Sequence, residues 1–115
     1  MKWLRDLSEA SLKKLGIAVT RYGTLQQLRE NAAALQDLGL LKSLPPELAP
    51  QLLQCLPNSK SQYRQDLFVL SQLNFKRNGY FVEFGATNGV ALSNTHLLEK
   101  EFSWTGILAE PARCW

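Results

Sequence analysis

The stretch YFVEFGATNGVALSNTHLLEKEFSWTGILAEP, residues 80–111, decides the fold. Its first five residues, Tyr80-Phe81-Val82-Glu83-Phe84, are aromatic and β-branched and lie between Gly79 and Gly85, which is the composition of a short strand. Residues 85–89, Gly-Ala-Thr-Asn-Gly, form a tight loop, and Ser93 is placed to cap a helix ending near Phe102. Trp104-Thr105-Gly106 is read as a turn and Ile107-Leu108-Ala109 as a second buried strand. Glu110-Pro111 stops that strand, because proline cannot continue a ladder. Strand, glycine loop, helix and strand within ~30 residues make a βαβ unit with parallel strands. The ligand of such a unit sits beyond the carboxyl end of the first strand.

That end reads Glu83-Phe84-Gly85-Ala86-Thr87-Asn88-Gly89. Gly85 allows a sharp exit from the strand, while Gly89 lets the next helix pack close and leaves room for a cofactor backbone. Glu110 stands at the tip of the second strand, 21 residues after Gly89. In nucleotide-binding βαβ units an acid there accepts hydrogen bonds from ribose hydroxyls. A dinucleotide G-x-G-x-x-G loop requires glycine where Thr87 and Val90 stand, and no Gly-Lys-Ser/Thr exists for a P-loop. Both NAD and ATP are therefore disfavoured, with an NAD-type domain kept as the weakest alternative. An acid two residues before the first glycine suits a ligand with an ammonium and a sulfonium and no phosphates, namely S-adenosylmethionine. Without a ligand, the same loop is a plain strand-to-helix turn and Glu83 an acid held by backbone amides.

Around this unit the chain reads as helical. Leu25, Leu28, Ala32, Leu35 and Leu38 recur at steps of three and four, which predicts a helix over 25–38 capped by Thr24 with Gln27 and ended by Gly39. Lys2 to Leu15 is a moderately amphipathic stretch stopped at Gly16. Pro45-Pro46 opens a third helix carrying Leu48, Leu52, Leu53 and Leu56, and Pro57-Asn58-Ser59 closes it. A further helix is expected over 62–75. The domain reading is thus a helical segment, 1–59, followed by the α/β part, 60–115. The leucine stripe is read as core or partner-helix packing, which admits self-association through that helix.

Composition narrows the function. Residues 1–60 hold eight Lys/Arg and five Asp/Glu, against five of each in 61–115, and the basic excess is spread rather than clustered. That spread marks a solvated helix face, not a nucleic-acid patch. Cys55 and Cys114 lack metal-site or disulfide-framework spacing and suit a reducing cytoplasm, and His96 alone builds no histidine cluster, so no metal is expected. No stretch approaches a membrane span. Asp66 reads most simply as a first-turn acid, Asn94 as a cap, and Trp104 and Trp115 as packing residues.

The runs Ser61-Gln62-Tyr63-Arg64-Gln65-Asp66-Leu67-Phe68-Val69-Leu70, Phe81 to Gly89, Ser93-Asn94-Thr95 and Trp104 to Pro111 together resemble the FkbM family of methyltransferases, in that family's order and spacing. The resemblance covers residues 60–115 and leaves the helical first half outside it. It implies the start of a Rossmann-like class I methyltransferase domain, with O-methylation of a sugar, glycan or natural-product hydroxyl as the activity. It also implies that Glu83, Gly85, Ala86, Asn88 and Gly89 line the methionine end of S-adenosylmethionine, with Thr87 in the same loop where many class I enzymes have glycine. Glu110 would hold the ribose. Such a sheet has about seven strands and this chain supplies two, so the domain is expected to be incomplete and the 115-residue chain inactive by itself. The family's catalytic base would lie beyond Trp115, and no catalytic residue is nominated. The rival reading is a truncated, inactive fragment or a helical interaction module.

Overall fold

The computed structural model describes residues 11–16 and 20–111. The chain divides into two compact units between Leu35 and Gln36. In the first, residues 11–14 are helical and Gly16 takes a left-handed φ of +70°, stopping the turn where the sequence places a stop. The rest of the stretch from Lys2 lies outside the described residues. Helix α1, Tyr22–Ser43, begins in this unit and ends in the second.

Helix α1 is longer than its leucine repeat predicts. Thr24 lies inside the first turn instead of capping it, and Gly39 stays helical. A mid-helix glycine costs about 1 kcal/mol relative to alanine. Leu40, Leu41 and Leu44, which pack on the core just beyond it, offset that cost. Pro45 and Pro46 then bar any continuation. The stripe itself is uncovered: no α1 residue is buried, and Leu28 and Leu35 are 57% and 68% exposed.

The second unit continues with a 3-10 turn at Pro46–Leu48, helix α2 at Ala49–Cys55 and another 3-10 turn at Leu56–Asn58. Leu52 is fully buried while its neighbour Leu53, about 100° further round the helix, faces solvent. Helix α3 spans Gln65–Gln72, shorter than the predicted 62–75 because left-handed residues bound it: Arg64 at φ 58° before, Asn74 and Phe75 at 49° and 53° after.

Strand β1, Tyr80–Phe84, helix α4, His96–Phe102, and strand β2, Thr105–Ala109, complete the unit. The strands pair in parallel with Tyr80 opposite Thr105 and Phe84 opposite Ala109. Thr105 and Gly106 therefore belong to β2 and not to a turn. Gly106 is needed there, because a Cβ would overlap the carbonyl oxygen of Phe81, its register partner. One face of the sheet is covered. Phe81 packs with Leu97, Leu98 and Phe102 of α4, Leu67 and Leu70 of α3, Leu52 and Cys55 of α2, Leu44 and Trp104 in one core. The boundary read at residue 60 falls inside this core, since α2 shares it with the βαβ unit. The other face, with Tyr80, Val82, Phe84 and Ile107, is exposed. No helix among the described residues is long and apolar enough to cross a membrane.

Candidate cofactor site

The site lies where β1 and β2 end together. Gly85 leaves β1 with φ +70° yet still donates its N–H to the Ala109 carbonyl at 2.8 Å, as Ala86 does at 3.4 Å. The loop therefore begins tied to the last residue of β2. Thr87, at φ 50°, donates its N–H to Glu110 Oε2 at 3.0 Å. The acid at the second strand's tip thus sits directly against the glycine loop, 23 residues away in sequence. Gly89, at φ +75°, donates to the Ala86 carbonyl at 2.7 Å. Asn88 Oδ1 accepts from the Val90 and Ala91 amides at 3.0 and 2.8 Å, closing the loop on itself.

An open cleft of about 710 Å³ adjoins this loop, lined by Phe84, Gly85, Leu108, Ala109, Glu110 and Pro111. Of the seven predicted cofactor residues, Gly85 and Glu110 line it. Ala86 is buried beneath the loop, Thr87 meets Glu110 through its amide, Asn88 is exposed and Gly89 approaches Leu108. Glu83 does not line it. Two-residue periodicity sends Glu83 to the covered face with Phe81.

On that face Glu83 is a hub. It is only 7% exposed, and an uncompensated buried carboxylate is costly. Its Oε2 accepts from the Ser93 hydroxyl at 2.9 Å and from the Thr95 hydroxyl, and its Oε1 accepts from the Asn94 amide at 2.8 Å. Ser93 Oγ in turn accepts from the Thr95 and His96 amides at 3.2 and 3.1 Å. Ser93 thus meets the first amide of α4 from the turn before it, while the capping position itself falls to Thr95, whose side chain makes no cap bond. The holding role of Ser93, Asn94 and Thr95 is the part that the motif reading lacks. The signal for it was three successive donors ten to twelve residues after a strand acid.

A second polar group lies between α2 and α3. Asp66 is fully buried; its Oδ1 accepts from the Ser59 hydroxyl and the Leu67 amide, each at 2.8 Å, while Oδ2 has no hydrogen-bond partner. Burial pushes its carboxyl up from the usual range, against the opposing pull of Ser59, the Leu67 amide and Arg64. Burial likewise raises the Cys55 thiol, with Glu101 and Asp66 adding to the effect. Among the described residues no group of three or more His, Cys, Asp or Glu side chains could hold a metal ion. The chain matches no protein-family profile, no curated protein and no solved structure.

Proposed function

We propose that residues 60–111 bind S-adenosylmethionine as the opening part of a Rossmann-like class I methyltransferase domain. One observation carries this reading: Glu110 at the tip of β2 is hydrogen-bonded to Thr87 within the glycine loop, beside an open cleft. A strand-end acid held there is positioned to accept the hydroxyls of a ribose. A loop without the second and third glycines of a dinucleotide site favours a cofactor lacking a pyrophosphate. The transfer itself is an in-line attack of an acceptor oxygen on the sulfonium methyl, helped chiefly by positioning. The acceptor class that goes with this reading is a hydroxyl of a sugar, glycan or natural product, in a reducing cytoplasmic setting.

The test is calorimetric titration of S-adenosylhomocysteine and, separately, NADH into protein extended through the reading frame that follows Trp115. Binding of the first and not the second supports the proposal; the reverse overturns it. The exposed leucines of α1 and the uncovered sheet face favour a second reading, an interaction module without catalysis. A stop codon directly after Trp115 would favour that one.

A further inference from the structure

Two of the sequence runs singled out above, Ser61 to Leu70 and Ser93-Asn94-Thr95, meet in space. Ser61 is 3% exposed, and its Oγ lies at the centre of the contact. The Gln65 amide donates to Ser61 Oγ at 2.9 Å, so Ser61 caps the first turn of α3. Two acceptors face the single Ser61 hydroxyl proton: Gln65 Oε1 and, at 2.7 Å across 33 residues of sequence, Asn94 Oδ1, so the hydroxyl donates to one or the other at any moment. Gln65 Oε1 also accepts the Tyr63 amide at 3.0 Å, which fixes that side chain from the other side. Asn94 is gripped at both ends: its side chain by Ser61, its backbone N–H by Glu83 at 2.8 Å.

We propose that Ser61 is a positioning residue for the cofactor loop. Acting through Asn94, it sets the 93–95 turn, whose hydroxyls and amide hold the Glu83 carboxylate, and Glu83 lies two residues before Gly85. In this arrangement the first turn of α3 and the turn before α4 form one hydrogen-bonded unit that fixes the direction in which β1 enters its loop. The structural connection stands without a ligand; its consequence for a cofactor rests on the function proposed above.

The simpler account is that Ser61 only caps α3. The two accounts separate under amide hydrogen exchange on the 115-residue chain. With Ser61→Ala, a cap alone loosens residues 63–66. A positioning role also raises exchange at Asn94, Thr95 and His96, by roughly five- to tenfold, the scale of one net hydrogen bond. Ser61→Thr, which keeps the hydroxyl, should restore protection at those three amides. The reciprocal variant, Asn94→Ala, should loosen the Gln65 amide, and it decides the matter if Ser61→Ala unfolds the chain. A change confined to 63–66, or a silent Gln65 amide in Asn94→Ala, overturns the proposal. In the extended protein, S-adenosylhomocysteine affinity should fall with Ser61→Ala and return with Ser61→Thr. Wild-type protein that binds none would defeat the functional reading, while the exchange result still decides the role of Ser61.

Discussion

Asp37 and Arg64 form a two-pronged ion pair, with Nε to Oδ1 at 2.7 Å and Nη2 to Oδ2 at 3.2 Å, joining the last turns of α1 to the residue that opens α3. Both side chains are largely shielded, at 17% and 20% exposure. The same guanidinium donates from Nη1 to the Ser59 carbonyl at 3.3 Å. Arg64 holds a left-handed φ of 58°, a strained choice for a non-glycine residue, so its contacts compensate a local cost.

Arg64→Lys therefore tests geometry apart from charge. Lysine keeps the cation but cannot offer a planar fork or reach Ser59 at the same time. Stability is expected to fall by about 1–2 kcal/mol, read as a lower urea midpoint at unchanged slope. A midpoint equal to the wild type's would show that simple charge, not the fork, makes the connection.

Asp66 gives the chain a stability that depends on pH in a defined direction. Its carboxyl is raised above the ordinary 3.8, chiefly by burial, so the folded chain holds this proton more tightly than the unfolded one. The stabilisation is complete below the unfolded value and fades as pH rises through the folded one. Arg64 and Cys55 are the other ionisable groups felt at this position, and Arg64 keeps its charge throughout that window. Replacing the acid with a neutral isostere, Asp66→Asn, should remove this component. Urea unfolding between pH 4 and 8 should show the variant gaining on the wild type as pH increases. Parallel curves, or a wild type that gains instead, would contradict a raised carboxyl.

Gly106 should tolerate no side chain. A Cβ built there overlaps the Phe81 carbonyl oxygen and lies 2.6 and 2.7 Å from two Phe81 ring carbons. Overpacking of this kind costs ~1–3 kcal/mol. Since one of the clashing atoms belongs to the backbone, Gly106→Ala should still destabilise a Phe81→Ala background, which lacks both ring carbons. A cost that vanishes in that background, measured by denaturant unfolding, would mean that the ring alone is the obstacle.

The parts legible in the sequence were those written in local chemistry. The strand at 80–84 declared itself through aromatic and β-branched residues between glycines, and the loop through Gly85 and Gly89, which do take positive φ. The separation of Gly89 and Glu110 anticipated an acid beside the loop, and Glu110 does meet the Thr87 amide. The direction of Glu83 was available from alternation, because a strand that buries Phe81 sends residue 83 the same way. Other features depended on distant packing. Gly39 looked like a stop, but Leu40, Leu41 and Leu44 extend α1 by joining a core formed largely by later elements. Arg64 carries no local sign of its left-handed backbone, so α3 starts at Gln65 and not at the predicted residue 62. The leucine repeat predicts a stripe packed in the core or on a partner helix; the stripe is exposed in the single chain, which removes the first alternative and leaves the second.

That stripe has its own test. Leu28 and Leu35 lie seven residues apart on α1, both exposed. If α1 associates with a second copy, Leu28→Asp/Leu35→Asp should halve the mass seen by light scattering at micromolar concentration and leave most helicity intact. A wild-type chain already monomeric at those concentrations would leave the stripe without a role in self-association.

Glu110 is the residue on which the cofactor reading turns most directly. It contacts the Thr87 amide, so two losses must be told apart: a loop no longer held and a ligand no longer gripped. Glu110→Ala removes both. Glu110→Gln keeps a carbonyl oxygen for Thr87 and the length of the side chain, and loses the charge that strengthens bonds from ribose hydroxyls. In protein extended beyond Trp115, Glu110→Ala should weaken S-adenosylhomocysteine binding roughly ten- to hundredfold, the equivalent of ~1.5–3 kcal/mol. Glu110→Gln should fall between it and the wild type. Exchange at the Thr87 amide serves as the control, and it should rise in Glu110→Ala and stay near wild type in Glu110→Gln. Should both variants bind like the wild type, Glu110 is only a fastening for the loop, and the ribose must be held elsewhere. A Glu110→Gln variant as weak as Glu110→Ala, with Thr87 still protected, would instead assign nearly the whole effect to the charge.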